Sequence, residues 1–152
     1  LGAFLGGQVS DRLGKKDIRN WMAVPAIGAV LAIPIFWLAI TVSNAVLALS
    51  ILSLATLVAS FWYGPIYATA QSISPVRTRA TASAVLLFVV NLIGLGLGPL
   101  AVGVLSDFCA ISLGMGKGEG VRWALLISAS LGVIASIAFW TARSSIKADM
   151  ED

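Results

Sequence analysis

NWMAVPAIGAVLAIPIFWLAITVSNAVLALSILSLATLVASFWYGPIYATAQSISPV, residues 20–76, contains no Asp, Glu, Lys or Arg. A helix needs about 20 mostly apolar residues to cross a bilayer, so this run holds two spans. The break between them falls at TVSNA, where Ser43 and Asn44 supply turn chemistry. Residues 80–106 and 123–142 are also free of charge. Backbone polar groups inside lipid must be satisfied internally, which leaves helices or closed barrels. The sequence therefore predicts an all-α polytopic transmembrane bundle. Its spans are expected at 20–41, 45–70, 79–106 and 121–143, with residues 1–10 as the end of an earlier helix. Residues 1–152 then form a single transmembrane region, and the partial first span makes the chain a fragment of a longer protein.

Composition agrees. The chain is 59% hydrophobic and 11% charged, against about 25% charged for a soluble domain. A single cysteine, Cys109, and the absence of His exclude an internal disulfide, a zinc site and a Cys/His nucleophile pair. No enzymatic chemistry, metal or cofactor is expected. The chain starts at Leu1 with no charged segment before it, so it is not expected to carry a signal peptide. The net charge of +3 sits at the ends of apolar runs, which points to the bilayer surface as partner and not to nucleic acid.

Lys and Arg accumulate in cytoplasmic loops. One set of alternate loops holds eight of them: Arg12, Lys15, Lys16, Arg19, Arg77, Arg79, Arg143 and Lys147. The other holds two, Lys117 and Arg122. This predicts an integral membrane protein with a cytoplasmic C-terminus. Trp21, Trp123 and Trp140 fall at span ends, where indoles prefer the interface.

Three stretches carry the functional signal. GGQVSDRLGKK, residues 6–16, places Gly7, Asp11, Arg12, Gly14, Lys15 and Lys16 where one helix ends and the next begins. Gly7 lets a neighbouring helix approach. Asp11, one turn on, offers a carboxylate to a helix N-terminus or an arginine, with Arg79 as the candidate. Gly14 allows a tight turn, and the lysines hold the loop out of the bilayer. Charge that only fixes topology explains the lysines but not Asp11.

In RATASAVLLFVVNLIGLGLGPLAVG, residues 79–103, Gly94 and Gly98 form a G-x-x-x-G pair suited to helix contact, and Pro99 kinks the helix. No strand precedes this run, so its glycines are not a dinucleotide fingerprint. In FWYGPIYATAQ, residues 61–71, Tyr63, Tyr67 and Gln71 share one helix face. They line a cavity or form an interfacial belt with interhelical hydrogen bonds. Asn91 poses the same choice. SISPVRTR is read as a joint in which Thr78 caps the next helix, and SDFCAISLGMGKGEGVR as a long external loop. Ala124, Ser128, Gly132 and Ser136 make a small-residue packing stripe.

The loop G-x-x-x-D-R-x-G-K-K resembles the signature between the second and third helices of each half of major facilitator transporters. Residues 79–103 resemble the glycine-proline motif of that superfamily's exporters. WMAVPAIGAVLAIP, QSISPVRTRATASAVLLFVVNLIGLGLGP and GVLSDF are similar to the bacterial spinster-like branch. The resemblance covers nearly the whole chain and implies the C-terminal half, from the end of the eighth helix through the twelfth. It also implies a secondary active transporter working by alternating access on a small molecule, an amphiphilic lipid or drug-like compound. The charged loop would be a cytoplasmic latch. The missing N-terminal half completes the substrate site, and a coupling proton or sodium ion is a further partner. No ionisable residue lies inside the four spans, so a titrating carboxylate belongs to the absent part or is Asp107. Two alternatives stand: the N-terminal half of such a permease, and a non-transporting scaffold or receptor-like bundle of the same ancestry.

Overall fold

The computed structural model describes residues 1–15, 17 and 19–151, with side chains described through Ser144. Lys16 lies outside the described residues, as does the side chain of Lys147. The described chain is helical throughout, without strands. Helix α1 spans Gly2–Gly14. It is followed by α2 (Asn20–Thr41), α3 (Ala45–Ser72), α4 (Arg79–Ser112) and α5 (Lys117–Ser144), each long and apolar enough to cross a membrane. The backbone of α5 stays helical to Glu151 after a break at Leu131.

Local chemistry sets the ends. Asn44 caps α3, its side-chain oxygen accepting from the amides of Val46 at 3.0 Å and Leu47 at 3.2 Å. Thr78 stands at the start of α4 but does not cap it. Its hydroxyl donates back to the Pro75 carbonyl at 3.1 Å, because the turn that Pro75 opens leaves that acceptor closer than the helix amides. The expected long external loop shrinks to residues 113–116. Gly114 (φ +66°) and Gly116 (φ +80°) adopt left-handed conformations that side chains rarely enter, so α4 turns into α5 within four residues. Helix α1 likewise runs on to Gly14, which places Asp11 and Arg12 on its last turns.

Prolines shape the helix interiors. Pro99 has no N–H, and the preceding segment, Leu92–Leu97, is π-helical, with the Gly98 amide bonded to the Ile93 carbonyl. Pro65 cannot donate to the Phe61 carbonyl, and a 3₁₀ turn at Ser60–Trp62 precedes it.

Helix α2 is the hub, packing on α1, α3 and α5. An apolar stripe cannot choose the packed face here, because lipid is as apolar as a helix partner. Small residues choose it instead. Ala23, Ala26, Gly28 and Ala39 of α2 are buried. Gly28 lies against Val58 and Phe61 of α3, and Gly132 of α5 lies against Ala29 and Ile33. Two hydroxyl contacts tie α2 to α5: Ser136 Oγ donates to the Ala26 carbonyl at 2.9 Å, and Trp37 Nε1 donates to Ser130 Oγ at 3.3 Å. Helix α1 runs parallel to α3, with Gly2 on Leu57 and Ser60, Gly6 on Phe61, and Gly7 under Gly64. Outside these contacts α4 stands apart. It meets α5 near its end, where Gly120 packs on Ser106 and Ala110, and no residue of its most apolar window is buried.

Candidate functional site

Between α2, α3, α4 and α5 lies a cavity of about 610 Å³. Ala29, Ala32 and Phe36 form one wall, and Ala55, Thr56, Ala59 and Trp62 another. Val89, Val90, Ile93 and Gly94 border it on the α4 side, with Ser128 and Gly132 on the α5 side. Its lining mixes small residues with large apolar ones such as Ile33, Phe36, Ile93 and Phe139. The polar side chains on its lining are Thr56, Trp62 and Ser128, and Thr56 Oγ1 is already spent on the Leu52 carbonyl at 2.5 Å. Such a chamber suits an apolar body with few hydrogen-bonding groups. It contains no charged side chain, and among the described residues no group of His, Cys, Asp or Glu is arranged to hold a metal ion.

Tyr63, Tyr67, Gln71 and Asn91 are not among its lining residues. Tyr63 stacks on Trp62 with ring centroids 4.0 Å apart and is exposed. The Tyr67 hydroxyl is buried without a hydrogen-bond partner. Gln71 is exposed. Asn91 is also exposed, and its Nδ2 donates to the Leu87 carbonyl one turn back at 2.7 Å. Several hydroxyls in the spans do the same: Ser50, Ser53 and Ser60 bond the carbonyl four residues earlier. Trp62, adjacent to Tyr63, is the aromatic residue of this stretch on the cavity lining.

Two hydrogen bonds hold the described residues of the charged loop. Asn20 Nδ2 donates to the Leu13 carbonyl at 3.0 Å and closes the end of α1, while Asp17 Oδ1 accepts the Arg19 amide at 2.9 Å. Trp21 lies flush on Gly14, leaving no room for a Cβ. Gly14 sits inside the last turn of α1, so space under the indole, not a left-handed turn, is what its glycine provides. Gly7 is half-buried, and the closest approach falls one residue earlier at Gly6. Gly2 and Gly6 form a G-x-x-x-G pair in GAFLG, a signal present in the sequence and overshadowed by the charged motif beside it.

Asp11 and Arg12 are exposed, as is Lys15. Among the described residues Asp11 forms no ion pair; the one ion pair joins Arg122 and Glu119 at 3.3 Å. Arg79, expected to meet Asp11, donates instead from Nε to the Ser74 carbonyl at 3.2 Å. Pro75 interrupts the helix there, the Thr78 amide turns to the Pro75 carbonyl at 2.9 Å, and the guanidinium serves the acceptor left behind. The Gly94–Gly98 pair does not make a helix contact within this chain either. A Cβ on Gly94 would meet nothing within 4 Å, and one on Gly98 only its own helix.

The sequence matches no family model and no curated protein. A solved structure does match: a bacterial homologue of the human lysosomal transporter Spinster, in an inward-facing and occupied conformation. The TM-score is 0.75 at 25% identity, over 95% of this chain and 38% of that chain. The chain has the fold of half a spinster-like major facilitator transporter. The chain spans well under two thirds of the length of the structure it matches. Its long apolar helices make it an integral membrane protein in contact with the lipid bilayer.

Proposed function

We propose that this chain is the C-terminal half of a secondary active transporter that moves a small amphiphilic molecule, lipid-like or drug-like, across the bacterial inner membrane. The observation that carries this reading is the match along nearly the entire chain to an occupied, inward-facing transporter. Supporting the substrate class is the cavity of about 610 Å³, apolar but for three side chains, which fits a hydrocarbon body better than a sugar or an ion. Alternating access then rocks this half against the N-terminal half, with the substrate held near the midplane.

Within that reading the loop from Gly7 to Lys16 is the cytoplasmic latch. An exposed Asp11 with no ion pair among the described residues is available to a cation of the opposite half when the cytoplasmic side closes. The open face of α4 at Gly94, Gly98 and Pro99 is where that half approaches. Tyr63, Tyr67, Gln71 and Asn91 lie outside this half's own chamber, so their place in a substrate path depends on the other half as well. The carboxylate of a proton- or sodium-coupled cycle lies in the absent part of the transporter or is Asp107, since the described spans hold no ionisable residue at their centres. The positive loop charge orients the C-terminus to the cytoplasm.

The test is flux through the full-length protein in proteoliposomes, using fluorescent lysophospholipids and cationic dyes under imposed proton and sodium gradients. Gradient-dependent movement of an amphiphile is expected. No flux of any amphiphile under either gradient would leave the scaffold reading.

A further inference from the structure

The α2–α5 pair carries at one end an arrangement that neither the cavity nor the loop uses. The pair is antiparallel, and its register is set where Ser136 Oγ meets the Ala26 carbonyl at 2.9 Å and where Gly132 packs on Ala29 and Ile33. Arg143 lies seven residues beyond Ser136, and Arg19 lies seven residues before Ala26. Seven residues return a helix to within roughly 20° of the same face. Arg19 has helical dihedrals, φ −57° and ψ −24°, so the periodicity reaches it. Both arginines therefore spring from the facing sides of the two helices at one level, about 10 Å beyond the Ser136–Ala26 bond.

Two cations on one groove repel unless an anion joins them. Among the described residues neither guanidinium pairs with a carboxylate. Asp17, the nearest acid to Arg19 in sequence, accepts its backbone amide. The Arg143 guanidinium is held 4.9 Å over the Trp140 ring, and that indole is 52% exposed. Stacking on the ring fixes the guanidinium plane and leaves its edge donors free. Indoles with one exposed side settle at the headgroup level of a bilayer.

We propose that Arg19 and Arg143 together bind the phosphate of an anionic phospholipid in the groove between α2 and α5, with Trp140 against the start of its acyl chains. Charge complementarity selects this occupant. The groove opens where the apolar spans end, an anionic leaflet concentrates phosphate at that depth, and a guanidinium matches phosphate in bidentate geometry. The site depends only on the α2–α5 pairing, so it stands whichever side of the membrane this end faces and whatever the protein transports.

The experiment titrates the full-length protein in detergent with phosphatidylglycerol and with phosphatidylcholine of identical acyl chains, counting bound lipids by native mass spectrometry. Wild type should prefer phosphatidylglycerol. Arg143→Gln and Arg19→Gln should each reduce that preference about fivefold, the equivalent of about 1 kcal/mol per basic residue at an anionic surface. Arg143→Lys should lose less, and Arg122→Gln, at the opposite end of α5, should lose nothing. Arg19 is exposed at the start of α2, so its variant carries the test even where Arg143→Gln unfolds in detergent. Equal affinity of wild type for the two lipids overturns the proposal, and so does an unchanged preference in Arg19→Gln.

Discussion

Gly6 of α1 lies directly on the backbone of Phe61 in α3: a Cβ at this glycine would stand 2.5 Å from the Phe61 carbonyl oxygen and 2.6 Å from its Cα. Backbone cannot yield as a flexible side chain does. Gly6→Ala is therefore expected to destabilise the full-length protein by about 1–3 kcal/mol, the usual cost of overpacking. A Cβ on Gly7 meets nothing within 4 Å, so Gly7→Ala should leave the melting temperature near wild type. Thermal unfolding in detergent separates the two. If Gly7→Ala folds normally yet loses flux, its glycine serves the latch and not the packing.

Asp11 is exposed and forms no ion pair among the described residues. Asp11→Asn should thus insert and melt like wild type while slowing transport by roughly tenfold, a coupling of 1–2 kcal/mol. Normal flux by this variant in proteoliposomes would defeat the latch.

The Ser136 hydroxyl, buried at 9% exposure, donates to the Ala26 carbonyl at 2.9 Å. Interhelical hydrogen bonds in lipid average about 0.6 kcal/mol. Ser136→Ala should lower stability by about that amount and no more, because alanine fills the site without leaving a buried donor.

Ala32 lines the cavity of about 610 Å³. Ala32→Leu should fill part of that space without lowering the melting temperature, while weakening transport of bulky amphiphiles more than short ones. A chain-length series in the flux assay reads the difference, and equal loss for all lengths would argue that the cavity is not on the substrate path.

Gly114 and Gly116 hold φ of +66° and +80°. Replacing either with Ala should cost roughly 1–2 kcal/mol. Gly118, which has open space around it, should accept Ala. Unfolding midpoints of the three variants check this.

Charge-free runs were enough to show that the chain is a helical membrane bundle, since only repeated long apolar stretches produce that pattern. Short-range chemistry was legible in part. Asn44 caps α3 through a contact two and three residues away, whereas Thr78, an equally plausible cap, turned to the Pro75 carbonyl. The glycine-rich stretch after Asp107 reads as a loop by composition, yet most of it is helix, because two of its glycines suffice for the turn.

The sequence by itself determined the membrane class, the helical architecture and the position of the charged loop, because those depend on how many apolar residues run without interruption. Only the tertiary structure decided which face of each helix packs. It pressed Gly6 even more tightly than Gly7 against α3, seated Trp21 on Gly14, turned Arg79 to the Ser74 carbonyl, and placed Trp62 but not Tyr63 on the cavity. The reason is physical. In a soluble helix water marks the outside, whereas here lipid and protein interior are equally apolar, so no hydrophobic period labels the buried face. That choice rests on small residues meeting across helices, and their partners lie far away along the chain.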